Sequence, residues 1–127
     1  MKDFIKWHSQ KQFLDSKKEY TFAHPREIWW CSLGINVGAE IDGKHDSFER
    51  PVVVMKIYNK ETLVILPITS KNKDDKFHYP IKNSESDAWV KLTQMRVISH
   101  KRLLRKIGVL NEDLFIKMKE AWLNSLR

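Results

Sequence analysis

Arg50, Thr69 and Ser70 are the residues of this chain whose types and spacing suit phosphate chemistry. They sit in the run ERPVVVMKIYNKETLVILPITSK, residues 49–71, which holds two apolar stretches, 52–58 and 63–68. Asn59-Lys60-Glu61-Thr62 separates them and reads as a tight turn. Two antiparallel strands joined this way place the start of one beside the end of the next. Arg50 is thereby expected near Thr69. Pro51 fixes its own φ and biases Arg50 to extended geometry. A guanidinium on so rigid a mount can face a phosphate with two parallel hydrogen bonds. The plainer alternative is an edge arginine and a polar strand terminus, and these residues alone leave both open.

Two further groups carry donors and carboxylates. The stretch GINVGAEIDGKHDSFE, residues 34–49, has three of the chain's four glycines. It reads as a long loop, a length that in a compact domain is usually functional or mobile. It supplies Glu40, Asp42, Lys44, His45 and Asp46. A carboxylate on a loop over an arginine is either a general base or a salt-bridge partner. Lys91, Thr93, Gln94 and Arg96 lie at the end of another expected strand, with Lys91 and Thr93 on one face. Gln94 and Arg96 are of types that read base edges or hold phosphate.

Other chemistries find little support. The 5 histidines fall in five different elements, with no HxH or HxxxH spacing, so no metal is expected. The single cysteine excludes an internal disulfide and a Cys-based zinc site, and Cys31 reads as a small core residue. Trp29 and Trp30 point to opposite faces of their strand, one toward the core and the other either partly in the core or toward a base or a partner.

The elements that must position these residues follow from periodicity. Phe4, Trp7, Lys11 and Leu14, at gaps of three and four, predict a helix over 3–18. Residues 21–26 connect, and strands are expected over 27–33, 51–58, 62–68, 76–81 and 88–93. Pro80 marks the fourth of these as an edge strand or a strand end. Residues 83–87 read as a polar turn and 99–104 as one short helical turn. Asn111 is a good N-cap for a helix over 111–126, with Glu112 and Asp113 where the dipole favours acids. Short strands with polar turns and a terminal helix imply an α+β, mainly β domain: a small curled sheet or barrel. The 127 residues fit one domain able to bury a core without staples.

The net charge is +7, and residues 94–108 carry Arg96, Lys101, Arg102, Arg105 and Lys106 with no acid. Such a surface suits a polyanion, nucleic acid being the usual one, unless it is simply a solvated basic face. The longest apolar run, 63–68, is far too short to span a bilayer, and MKDFIKWHSQ has no apolar signal core. A soluble cytoplasmic protein with no membrane association is expected.

The segments REIWWCSLGINVGAE, DGK and ERPVVVM, LPITSK, and KLTQMRVISHKRLLRKIGVL occur in this order. Together they resemble the MazF/PemK family of toxins from toxin–antitoxin modules, from about Arg26 to the C-terminus. The resemblance implies an SH3-like barrel with a C-terminal helix and a homodimer. It implies a metal-independent, cofactor-free endoribonuclease that cuts single-stranded RNA and is neutralised by an antitoxin. An acidic antitoxin is expected, with DNA binding only through it. Arg50 then resembles the family arginine that stabilises charge on the scissile phosphate, and Thr69 the threonine that donates to a phosphate oxygen. Glu40 resembles the family glutamate, as base or organiser. Ser70, Lys71, Lys91, Thr93, Gln94 and Arg96 would bind RNA. The sequence departs from the pattern in its longer DGKHDSFERP loop and in Thr93, where some members carry an acid. The helix over 3–18 is an addition to the minimal toxin, expected to pack on the barrel. The alternative from another class is a non-catalytic member of the fold that binds RNA or a gyrase-like protein partner.

Overall fold

The computed structural model describes residues 2–44, 47–71, 75–82 and 87–127, and of Lys82 the backbone alone. The expected turn over 83–87 therefore lies outside the described residues save Asp87, as do His45, Asp46, Lys73 and Asp74.

Two helices flank seven strands. α1 (Phe4–Asp15) opens on Asp3, whose carboxylate accepts from Lys6 N at 2.9 Å. β1 (Glu27–Ser32), β2 (Glu49–Ile57), β3 (Thr62–Thr69), β4 (His78–Lys82), β5 (Asp87–Lys91), β6 (Arg96–Ser99) and β7 (Leu103–Val109) precede α2 (Glu112–Ser125). Every pairing is antiparallel, and the sheet is open, in the order β4-β5-β3-β2-β1-β7, with β6 also on β3. β4 lies at an edge, as Pro80 requires.

β3 organises the sheet. Its first half, Thr62 to Ile65, pairs with β6, and its end, Ile68 and Thr69, pairs with β5. The change of partner falls at Leu66 and Pro67. Proline has no N–H to give a ladder, so it suits the place where one partner leaves and another arrives. A bulge between Val54 and Lys56 of β2 adds to the curl.

The apolar runs of β2 and β3 do not alternate with polar residues because both faces are covered. Val53, Met55, Val64, Leu66 and Ile68 pack with Phe115, Met118 and Trp122 of α2. Val52, Val54, Leu63 and Ile65 pack on the other side with Cys31, Leu33, Ile98 and Leu103. α2 is capped by Asn111, which accepts from Leu114 N at 3.2 Å.

α1 packs on the sheet domain, as expected, but through a narrower stripe than its spacing suggests. Trp7 and Leu14 are buried with Ile35 and Phe48, whereas Phe4, Ile5 and Phe13 remain exposed. Burying two such side chains contributes about 1.5–3 kcal/mol each.

Two strands differ from the sequence reading. β6 and β7 occupy segments assigned no strand, on either side of a 3-10 turn at His100–Arg102 that falls within the expected helical turn. β7 pairs with β1 through two register shifts, so its burial does not alternate and leaves no period-two signature.

Candidate active site

Arg50 is the second residue of β2, and the antiparallel β2–β3 pair sets it against the end of β3. Two carbonyls hold its half-buried side chain. Nε donates to Asp42 O at 2.8 Å and Nη1 to Ile68 O at 3.3 Å. A guanidinium has five N–H donors, and these bonds use two. Both partners are neutral, so the bonds orient the cation without cancelling it. Burial pulls its pKa down and the nearby Asp42 charge pulls it back up in part. Arginine's ordinary value lies so high that the group stays charged all the same.

Thr69 ends β3 and is 9% exposed. Its Oγ1 accepts from Lys71 N at 3.2 Å, which leaves the hydroxyl proton to donate elsewhere. Arg50, Thr69 and Ser70 line one cavity of about 690 Å³. Its polar wall also includes Lys44, Glu49 and Asp87, and its apolar side includes Trp30, Ile107 and Val109. Ile107 and Val109 lie on the edge strand β7 and are exposed.

The remaining expected site residues are placed differently. Glu40 is exposed and does not line this cavity; its Oε1 accepts from Val37 N at 2.9 Å within its own turn. Gln94 accepts from Ile41 N at 3.3 Å and Arg96 donates to Leu33 O at 3.1 Å, so both fasten the loop over 33–48. Lys71 and Thr93 are exposed, Lys91 is half-buried, and none of the three lines the cavity.

Sequence reasoning missed Glu49 and Asp87 as the carboxylates facing the cavity, and Asp42 as the residue that holds Arg50. It also missed the Trp30–Arg105 contact. Arg105 donates to both oxygens of Glu49 at 3.1 Å and stands 5.1 Å over the Trp30 ring. Trp30 pairs across to Pro51 on one side and Arg105 on the other. Locating β7 would have exposed this arrangement. Among the described residues no group of three or more His, Cys, Asp or Glu could hold a metal ion. Nor is any described helix long and apolar enough to cross a membrane.

At the start of β1, Glu27 is buried. Burial alone would raise its pKa, but hydrogen bonds from Trp29 Nε1, Lys106 and His24 N, with the Lys106 charge, hold it at about 2. Cys31 is fully buried and its thiol is pushed up to about 12, so it is a core residue.

Residues 24–126 match the family model of the PemK-like, MazF-like toxins of type II toxin–antitoxin systems, and the chain belongs to that family. Solved structures agree in fold. MazF of Deinococcus radiodurans has a TM-score of 0.71 at 17% identity, covering 84% of this chain and 97% of its own. The Mycobacterium tuberculosis toxin MazF-mt6 has a TM-score of 0.62 at 18% identity, covering 80% and 96%. An endoribonuclease in complex with its cognate antitoxin, from a mycobacterial species, has a TM-score of 0.65 at 12% identity, covering 83% and 95%. No curated protein matches the chain.

Proposed function

We propose that this toxin is an endoribonuclease that cleaves single-stranded RNA without a metal, leaving a 2′,3′-cyclic phosphate and a 5′-hydroxyl. The observation that carries the reading is that Arg50 and Thr69 line one cavity. Its antitoxin-bound mycobacterial neighbour, an endoribonuclease, supports it as a likeness in fold.

In this reaction the 2′-OH oxygen attacks the adjacent phosphorus and the P–O5′ bond breaks. One proton leaves the 2′-OH and one reaches O5′. Negative charge grows on the phosphoryl oxygens, and donors aimed there contribute about 3–4 kcal/mol each. Arg50 and Thr69 supply such donors, and Ser70 extends the wall they share. Glu40 is tied to Val37 N, so the base falls to a carboxylate facing the cavity. Glu49 is doubly bonded to Arg105, and we assign the role to Asp87. Lys44, which lines the cavity, and Lys71, one residue past Ser70 but outside that lining, hold flanking phosphates, ahead of Gln94 and Arg96, which fasten the loop.

The toxin works in the cytoplasm as a homodimer, with the edge strand β7 and its exposed Ile107 and Val109 as the contact surface. An acidic antitoxin segment covers the Arg50–Thr69 rim, and DNA is reached only through that antitoxin. The test is purified protein with single-stranded RNA in excess EDTA, with the new 5′ ends labelled by a kinase without prior phosphatase. Labelled fragments are expected. No cleavage, or cleavage only with added metal, would overturn the mechanism.

A further inference from the structure

We infer that the N-terminal extension, residues 2–23, is a positioning element for Arg50, acting through the loop over 33–48. The inference rests on the nuclease reading only for its effect on rate. The extension precedes the residues matched by the family, 24–126. It contributes nothing to the lining of the Arg50 cavity, so any influence on that site passes through intermediaries.

Two grips supply the path. Lys2 Nζ pairs with Asp42 Oδ2 at 3.1 Å and donates to Asn36 O. Asp42 Oδ1 accepts from Asn36 N at 2.6 Å, and the backbone oxygen of the same Asp42 receives Arg50 Nε at 2.8 Å. Trp7 makes the second grip. Its ring lies 5.4 Å from that of Phe48 and fills the space above Gly34, where a Cβ would come within 2.0 Å of it. Phe48 O accepts from Leu33 N and Gly34 N at 3.0 and 3.1 Å, closing the loop two residues before Arg50.

The two carbonyls that orient Arg50 are therefore unequal. Ile68 O belongs to a central strand pinned by its neighbours. Asp42 O belongs to an irregular loop whose mouth is fastened by α1 and whose Asp42 is fastened by Lys2. Loosening Lys2 weakens the hold on one carbonyl and leaves the other untouched.

The test uses the full chain. Lys2→Met removes the ion pair at a partly exposed site, so the melting temperature should move by less than about 2 °C. Solvent exchange of the Arg50 Hε proton, identified in the nitrogen–proton NMR spectrum by its loss in Arg50→Lys, should quicken about tenfold. In RNA cleavage kcat should fall about tenfold with KM within about twofold, and Lys2→Arg should restore both readouts. Lys2→Met added to Asp42→Asn should change little further, since both break one link. Unchanged Hε exchange in Lys2→Met overturns the inference, as does faster exchange with unaltered kcat in a cleaving wild type. A wild type that does not cleave removes the nuclease reading instead, and the exchange measurement then decides the positioning by itself.

Discussion

Replacing Arg50 with alanine separates a structural arginine from a catalytic one, because the two roles differ in size. The side chain makes two hydrogen bonds, to Asp42 O and Ile68 O. Ile68 lines the cavity and Asp42 is half-buried, so water can replace the lost donors. The stability cost is that of ordinary hydrogen bonds exchanged for water, about 1 kcal/mol. For a domain of this size that lowers the melting temperature by about 3–5 °C. The catalytic cost is larger. A donor aimed at developing charge is worth about a hundred- to thousandfold in kcat. Single-turnover cleavage of a defined single-stranded RNA, in EDTA and well below both melting temperatures, reads that number directly. Arg50→Lys keeps the charge but not the fork, and should retain an intermediate rate. If Arg50→Ala shows the small melting shift yet cleaves within about threefold of wild type, the guanidinium stabilises the loop and not the phosphate, and the assignment fails.

Thr69→Val preserves shape and removes the hydroxyl, so cleavage should fall at least about tenfold while the fold holds; an unchanged rate would leave Thr69 as a strand end. Asp87→Asn should slow cleavage about a hundredfold and Glu40→Gln should leave it within about twofold; the reverse order in the same assay would return the base to Glu40. Gly34→Ala combines a φ of 81° with a Cβ placed 2.0 Å from the Trp7 ring, and should cost about 2–4 kcal/mol in denaturant unfolding. Glu27 has its folded pKa depressed from 4.5 to about 2, so its stabilisation is present above the unfolded value and lost as pH falls through the folded one. Wild type should exceed Glu27→Gln by about 3 kcal/mol at neutral pH, and the gap should close between pH 4.5 and about 2; a gap constant with pH would show that the carboxylate is not held ionised.

The strands that position Arg50 and Thr69 were legible because hydrophobicity and turn chemistry agree there. VVVM and LVIL are continuous apolar runs, and Asn59 closes the turn by accepting from both Glu61 N and Thr62 N. The acids lining the cavity, Glu49 and Asp87, were not legible. Glu40 was expected there because it resembles the family glutamate and lies on the loop before Arg50, yet its carboxylate accepts from Val37 N within its own turn. Asp87 opens β5, and only the pairing of β5 with β3 brings it to the cavity, which no local pattern encodes. β7 was hidden for another reason. Its bulged pairing with β1 interrupts the alternation, and its charged residues resemble a surface.

The same residues explain why the basic run over 94–108 is a poor measure of affinity for RNA. Each of its five cations has a partner within the chain. Arg96 donates to Leu33 O, Lys101 to Asp15 O and Arg102 to Ser32 O. Arg105 pairs with Glu49 and Lys106 with Glu27. The ends of α1 and β1 leave carbonyls to satisfy, and long cationic side chains from β6 and the 3-10 turn reach them. Three of the five hold a carbonyl, which leaves their charge uncancelled, while the two paired with carboxylates have theirs largely offset. The electrostatic pull on a phosphate backbone therefore comes from fewer groups than the sequence counts. What distinguishes Arg50 from these five is not its charge but its address: it too is held by carbonyls, and it alone of the six faces the cavity that Thr69 lines.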